Sequence, residues 1–231
     1  MNLLTSRLKS SPLLVRAVPF AIFLGLTFCQ GYFGEAGRYW FYLAKTIVGA
    51  WMIWEVRPFI AEMRWAFSWE AVVVGVAVFG IWVGSGDFLQ LLGLKPSLAV
   101  LKISEPTWKP FAHFGQLSGL AWLFIAVRIV GSTLVVPLLE EVFFRSFVYR
   151  YIAKTDFQTV PIGQFLLTPF LVTSVLFAFE HNEWLAGLLC GFAYQGLVIW
   201  KKRLGDAITA HAITNFLLGV WVVCKGAWQF W

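Results

Sequence analysis

Apolar stretches long enough to cross a membrane recur along this chain of 231 residues. A membrane-spanning helix needs about 20 mostly apolar residues. Hydrophobic residues make up 59% of the chain and charged residues only 13%, whereas a soluble domain carries about 25% charged residues. A soluble protein of this size cannot bury so much apolar surface. We therefore predict an all-α fold, a polytopic transmembrane helix bundle of seven or eight spans, some short or broken. The candidate spans are Leu13–Phe33, Tyr39–Trp54, Ala71–Leu92, Phe114–Val136, Leu138–Ile152, Phe165–Phe179, Trp184–Trp200 and Ala207–Val223.

The net charge of +6 indicates membrane topology rather than binding of nucleic acid. Lys and Arg accumulate on the cytoplasmic side of membrane proteins, so Arg7, Lys9 and Arg16 predict a cytoplasmic N-terminus. No basic stripe with interleaved aromatic residues lies outside the apolar segments. The expected surroundings are therefore a lipid bilayer, with no nucleic-acid partner. With eight spans, the basic residues 201–203 would lie on the side of the membrane opposite the cytoplasm. With a single broken span over Phe114–Ile152, the count is seven and these residues would lie on the cytoplasmic side.

Two adjacent carboxylates, Glu140 and Glu141, interrupt an apolar stretch that continues to Arg145. Ionisable residues at membrane depth are rare and indicate function by default. On a helix, Glu141 and Arg145 are four residues apart with the acid first, which is the favourable order for an ion pair. Glu140 points about 100° away from Glu141. The spacing therefore leaves Glu140 available for chemistry, although all three residues could equally form one ion-pair cluster at a helix end.

Two of the three histidines also lie on apolar segments. His181 follows Phe177 by four residues at the end of one segment, and His211 precedes Asn215 by four residues within the last segment. Alone, the first histidine could be interfacial, and the second pair could be a packing contact between helices. If they converge with Glu140, they supply a base, a second imidazole and hydrogen-bond donors. Activation of water and stabilisation of an oxyanion require such groups.

At these residues the sequence resembles the CPBP family, the CAAX-protease and bacteriocin-processing membrane peptidases, also called the abortive-infection family. The family pattern is EExxxR, then FxxxH, then HxxxN or HxxxD, on successive membrane helices. The resemblance covers residues 114–221, and the chain is also similar to a bacterial subgroup found with PEP-CTERM and exosortase protein sorting. It implies a catalytic helical core at residues 114–231 of one structural membrane domain. Residues 1–113 supply spans and loops without a recognised motif.

The resemblance implies an intramembrane endopeptidase, which in eukaryotic members cuts a prenylated C-terminal tail. Glu140 matches the glutamate that activates water with the help of the histidine at the position of His181. His211 and Asn215 match the pair that stabilises the oxyanion. Glu141 and Arg145 match supporting positions. One departure is Glu180, an acid where the family carries a small or apolar residue.

The resemblance also sets expectations for cofactors, partners and location. We expect no cofactor, with zinc held by Glu140, His181 and His211 as the alternative. The expected partner is a membrane-anchored or C-terminal-tail peptide substrate, with exosortase-type sorting machinery as a further partner. In a bacterium, such a multi-pass protein belongs in the cytoplasmic membrane. The competing hypotheses are a non-catalytic sorting or immunity partner that retains the fold, and a transporter that uses the acids and histidines as a proton relay.

Overall fold

Helices and the turns between them make up the part of the chain that the structure describes, residues 11–93 and 108–231. This computed structural model contains no β-strand in those ranges, which confirms the predicted all-α class. Arg7 and Lys9, on which the topology prediction partly rests, lie outside the described residues. The helices are α1 Pro12–Cys29, α2 Gly34–Val56, α3 Trp69–Leu91, α4 Pro110–Phe114, α5 Gly119–Ala153, α6 Leu167–Phe179, α7 Trp184–Lys201 and α8 Gly205–Lys225.

Four of these helices, α1, α3, α5 and α8, are long and apolar enough to cross a membrane. Helix α6 is also apolar but has only 13 residues. Together they make the protein an integral membrane protein with a polytopic helical fold. The crossing of the membrane by α2 and α7, which carry the predicted spans Tyr39–Trp54 and Trp184–Trp200, remains a prediction.

Two of the predicted spans, Phe114–Val136 and Leu138–Ile152, lie largely on the single helix α5, which has 35 residues. Pro137 lies where these two spans were separated. Proline has no backbone N–H to donate to the preceding turn, and the residues just before it, Gly131–Val135, form a π-helical segment. The helix widens at the proline but does not end there. In the described residues, the eight candidate spans therefore lie on seven helices. This number corresponds to the lower of the two predicted span counts.

A second π-helical segment, Val142–Val148, follows in the same helix. Between the two segments lie only the six residues Val136–Glu141, in α-helical conformation. π-Helical turns inside α-helices are rare and occur frequently at functional sites. Helix α5 therefore changes its helical type on both sides of the segment that carries Glu140 and Glu141.

The described residues form two compact units, which are treated separately. The first unit contains residues 11–61, 108–139 and 215–231, and the second contains residues 62–93 and 140–214. The unit boundaries fall inside α5, after Leu139, and inside α8, after Thr214. Each unit combines early and late parts of the chain. The predicted boundary after residue 113 marks where the family resemblance begins, and it remains a prediction.

Aromatic residues surround a cation in the first unit. The guanidinium carbon of Arg128 lies 4.8 Å from the ring centroid of Tyr42, 4.7 Å from that of Trp108 and 5.3 Å from that of Trp231. Cation–π contacts of this kind stabilise a positive charge that has left bulk water. The sequence showed Arg128 only as an internal charge in a predicted span, and its aromatic surroundings explain how the helix accommodates it.

Close helix packing organises the second unit. A Cβ atom at Gly191 of α7 would lie 2.9 Å from the Cα atom of Ser174 in α6, and one at Gly187 would lie 3.1 Å from the Cα atom of Ala178. Small residues let membrane helices approach each other closely. Gly187 and Gly191 therefore allow α7 to pack directly on the last turns of α6, which precede His181.

Candidate active site

The carboxylate of Glu141 forms a buried ion pair with the guanidinium of Arg145 in α5. Glu141 Oε1 lies 3.2 Å from Arg145 Nη1, and the two side chains are 0% and 1% exposed. Buried charges occur in proteins when they are paired or hydrogen-bonded. The four-residue spacing predicts this contact, and it neutralises one of the two adjacent acids.

The same oxygen of Glu141 also binds His211, which lies on α8. His211 Nδ1 lies 2.9 Å from Glu141 Oε1. A carboxylate paired with a guanidinium is ionised and only accepts hydrogen bonds, so Nδ1 of His211 is the donor. The other ring nitrogen, Nε2, lies 3.9 Å from Glu140 Oε2. Glu141 therefore fixes the orientation of the His211 ring and directs Nε2 towards Glu140.

Glu140 is a buried acid of this network that makes no hydrogen bond among the described residues. Its side chain is 9% exposed, and its Oε2 atom is buried with no hydrogen-bond partner among the described residues. The charges of Glu141, Arg145 and Glu180 all act on it electrostatically. This placement agrees with the spacing argument that Glu141 pairs with the arginine and Glu140 remains available.

His181 follows the end of α6 and binds back to the last turn of that helix. Its Nδ1 atom donates a hydrogen bond of 2.8 Å to the carbonyl oxygen of Phe177. A carbonyl oxygen only accepts, so the proton of the neutral ring is on Nδ1 and Nε2 carries a lone pair. The His181 ring contacts Trp82, with centroids 5.2 Å apart, and Phe177, with centroids 4.7 Å apart. His181 is thus held in the tautomer that can accept a proton at Nε2.

Phe177 contacts the other members of this group as well as His181. Its ring centroid lies 4.1 Å from the guanidinium carbon of Arg145 and 6.1 Å from the ring centroid of His211. The sequence motif contains this phenylalanine only as a spacing landmark. In the structure it is 1% exposed and packs against both histidines and the arginine, so it holds groups from α5, α6 and α8 together.

Glu180, the acid that departs from the family pattern, is part of the same group. Its Oε2 atom is buried and makes no hydrogen bond within residues 11–93 and 108–231. The charge of Arg145 acts on it electrostatically, and Glu180 in turn acts on Glu140. The site therefore contains a third acid, Glu180, beside the two of the family motif, whereas the ion pair of Arg145 is with Glu141.

Asn215 lies in the first unit, unlike the other predicted site residues. Its side-chain Nδ2 donates a hydrogen bond of 2.8 Å to the carbonyl oxygen of Ser132, in the first π-helical segment of α5. An asparagine amide carries two N–H donors, so this bond leaves a second N–H. The role of Asn215 in stabilising an oxyanion remains a prediction.

The zinc alternative would require Glu140, His181 and His211 to act as the three ligands. A catalytic zinc site normally has three protein ligands and an open position. Within the described ranges, no group of three or more His, Cys, Asp or Glu side chains is arranged to hold a metal ion. Both histidines bind a partner through Nδ1, Glu141 for His211 and a backbone carbonyl for His181, and this arrangement leaves each Nε2 open, as in metal-ligating histidines. The choice between a metal-free site and the zinc alternative remains a prediction.

Sequence reasoning missed Tyr194 and Trp82, the aromatic residues that pack on the two histidines. The ring centroid of Tyr194 lies 5.0 Å from that of His211, with 21° between the planes. In a chain with 23 Phe and 13 Trp, an aromatic residue on an apolar helix carries little information. The hydroxyl of Tyr194 is the one available signal, because a buried tyrosine hydroxyl normally needs a hydrogen-bond partner.

Comparison with known families supports the class of protein that this arrangement suggests. Residues 121–217 match the family model for type II CAAX prenyl endopeptidase Rce1-like proteins. The matched segment contains all the motif residues, from Glu140 to Asn215. Neither the curated proteins nor the solved structures give a significant match.

The family that this segment matches consists of CAAX prenyl endopeptidase-like proteins, and together with the apolar helices the match supports a membrane peptidase. The match over residues 121–217 agrees with the resemblance to the CPBP family given by the three motifs. The narrower placement in the subgroup associated with PEP-CTERM and exosortase systems remains a prediction.

Proposed function

We propose that the protein is an intramembrane endopeptidase in which Glu140 and His181 activate a water molecule. The observation that carries the proposal is the buried Oε2 atom of Glu140, which has no hydrogen bond within the described part of the chain. The neighbouring acid Glu141 is already committed to Arg145 and His211. His181 adds a second proton acceptor at Nε2, since its Nδ1 is bound to the Phe177 carbonyl.

The proposed reaction is hydrolysis of a peptide bond with a balanced transfer of protons. Water attacks the carbonyl carbon and gives one proton to the Glu140 carboxylate or to His181 Nε2. The C–N bond then breaks, and the same proton passes to the leaving amine. A positioned base of this kind contributes about 10²- to 10⁴-fold to the rate.

His211 is proposed to stabilise the negative oxygen that forms on the attacked carbonyl. Because Nδ1 donates to Glu141, Nε2 can donate to an oxyanion only when the ring carries both protons. The Glu141 carboxylate, 2.9 Å away, stabilises the imidazolium that results. An aspartate supports a catalytic histidine in the same way in serine proteases.

The proposed substrate is a membrane-anchored or C-terminal-tail peptide, cut at the cytoplasmic membrane of a bacterium, with exosortase-type machinery as a partner. The test compares the membrane proteomes of cells that express the wild type, Glu140→Gln or Asp87→Asn. Asp87 is an exposed carboxylate near the end of α3, so its variant is the matched control. We expect cleaved peptide termini in the wild type and the control that disappear in Glu140→Gln. Identical termini in all three would instead support a non-catalytic partner that retains the fold.

Asn215→Ala is expected to reduce the rate of cleavage by roughly 10²- to 10³-fold, the usual cost of one oxyanion-hole donor. Asn215 follows His211 by one helical turn on α8, and one of its two amide hydrogens is used by Ser132. The measurement is the rate at which newly formed termini appear after induction. Asn215→Leu, which keeps the approximate size of the side chain and removes the amide donors, should lose the same activity, whereas full activity in either variant would remove Asn215 from the mechanism.

We propose that cleavage needs no metal ion. Activity of the detergent-solubilised protein should persist after prolonged treatment with phenanthroline, because Glu140 and His181 both accept protons without a Lewis acid. The measurement is cleavage of the peptides identified in the proteome comparison, before and after chelation. Loss of activity that stoichiometric zinc restores would make His211 a metal ligand and overturn this mechanism.

A further inference from the structure

Tyr194 packs flat on the imidazole of His211. Their ring centroids are 5.0 Å apart and the planes differ by 21°. Phe177 lies near the same imidazole edge-on, with centroids 6.1 Å apart and planes at 81°. Tyr194 is 1% exposed, so no solvent separates these rings. The two aromatic residues therefore restrict rotation of the His211 ring about its side-chain axis.

The hydroxyl of Tyr194 ties this ring to the backbone of two other helices. It donates a hydrogen bond of 2.8 Å to Thr214 Oγ1. The threonine oxygen lies 2.8 Å from the carbonyl oxygen of Gly75 in α3 and 3.1 Å from that of Ala210 in α8. Its single hydrogen can be donated to either carbonyl while the oxygen accepts from Tyr194. A chain of hydrogen bonds therefore runs from Tyr194 to the backbone of α3 and α8.

Gly75 allows this series of hydrogen bonds to form because α3 and α8 are in direct contact there. A Cβ atom at position 75 would lie 2.7 Å from the carbonyl oxygen of Ala210 and 2.9 Å from the Cβ atom of Ile213. Any larger residue would push the two helices apart and lengthen the bond from Thr214 to the Gly75 carbonyl. The anchor of Tyr194 is thus built into the packing of α3 on α8.

The orientation of the His211 ring decides what its two nitrogens reach. In the present orientation, Nδ1 is 2.9 Å from Glu141 Oε1 and Nε2 is 3.9 Å from Glu140 Oε2. Rotation about the bond between Cβ and the imidazole ring would move Nδ1 away from Glu141 and Nε2 away from Glu140. A misplacement of about 1 Å in a catalytic group can cost about 10²-fold in rate.

We propose that Tyr194 is a positioning residue for His211, with its ring holding the imidazole plane and its hydroxyl anchored through Thr214. This inference rests on the proposed function of His211 as far as it concerns catalysis. Tyr194 does not contact the reacting atoms in this scheme. Its contribution is to keep Nε2 in one direction while Glu141 holds Nδ1.

The test uses the full-length protein in detergent with 13C- and 15N-labelled histidine, which gives signals for only three residues. Tyr194→Leu removes the aromatic ring, so the His211 ring signals should lose the shift caused by the stacked ring current. Tyr194→Phe keeps the ring and should leave most of that shift. Tyr151→Leu, at an exposed tyrosine of α5, is the matched control and should leave the His211 signals unchanged.

The rate of cleavage is then measured for the same variants, from the appearance of the peptide termini that the proteome experiment defines. Tyr194→Leu should slow cleavage by about 10²-fold, and Tyr194→Phe and Thr214→Val should each slow it by several-fold. Because the last two remove the same hydrogen bond, the double variant should be no slower than either single variant. Thr214→Ser keeps the hydroxyl and should therefore cleave at the wild-type rate.

The outcomes separate this inference from the proposed function. If no cleavage is found with the wild type but the His211 signals respond to Tyr194→Leu, positioning stands and the endopeptidase proposal fails. If cleavage and the His211 signals are unchanged in Tyr194→Leu, the positioning role is wrong. If Tyr194→Leu does not fold, the cleavage rates of Tyr194→Phe, Thr214→Val and their double variant test the inference instead. Strictly additive losses of rate in the double variant would show that the two residues do not act through a shared hydrogen bond.

Discussion

Glu140→Gln is expected to abolish proteolysis while the protein remains folded. Glutamine has nearly the same shape as glutamate, but its amide does not accept a proton from water. The buried Oε2 atom has no hydrogen bond to lose among the described residues. Removal of the water-activating base should therefore reduce the rate by about 10²- to 10⁴-fold with little change in stability. Cleavage in cells and the melting temperature in detergent measure the two effects.

Two further variants make the result for Glu140 specific. His181→Ala should give the same loss of cleavage, because it removes the second proton acceptor at Nε2. Asp87→Asn should keep both the wild-type rate and the wild-type melting temperature, since that carboxylate is exposed. Continued cleavage in both Glu140→Gln and His181→Ala would eliminate the glutamate mechanism.

Glu141→Gln is expected to show the opposite pattern, with a large loss of stability. The Oε1 atom of Glu141 is shared by Arg145, at 3.2 Å, and His211, at 2.9 Å. Neutralising it leaves the buried guanidinium without its ionic partner, and breaking a buried pair in this way costs about 3–5 kcal/mol. Yield after detergent extraction and the melting temperature should both fall well below those of Glu140→Gln.

A double variant separates the loss of charge balance from other effects at this position. Glu141→Gln combined with Arg145→Met removes both charges and keeps a side chain of similar length. Replacing both members of a buried pair is often neutral or stabilising, so the double variant should recover much of the lost stability. A stable Glu141→Gln protein beside an unstable Glu140→Gln protein would show that the roles of the two acids are exchanged.

Much of this arrangement could be predicted because it depends on local spacing. The apolar stretches locate the helices, and the interval between Glu141 and Arg145 is enough to predict their contact on one helix. The interval also indicates that Glu140 points elsewhere. These inferences need only the geometry of a helix and the high cost of charge at membrane depth.

Contacts between distant segments could not be predicted in the same way. Nothing in the spacing indicates that His211 binds the carboxylate of Glu141 or that Asn215 binds the Ser132 carbonyl. Tyr194 lies 17 residues before His211, and their stacking depends on how α7 packs on α8. The spacing also left open whether two predicted spans merge into α5, because Pro137 resembles a helix terminator until the surrounding backbone is known.

The π-helical segment Val142–Val148 has a consequence for sequence alignment. A turn closed by an i to i+5 hydrogen bond holds one more residue than an α-helical turn. Deleting one residue there would restore regular α-helix and leave the parts of α5 before and after it facing nearly the same directions, because the wide turn completes the same rotation with one residue more. The apolar pattern would still read as a helix, and Glu140 and Glu141 would keep their direction. Alignments that place a one-residue gap between Glu141 and Tyr149 therefore compare a wide turn with a regular one, and the EE pair can face the same neighbours in both chains.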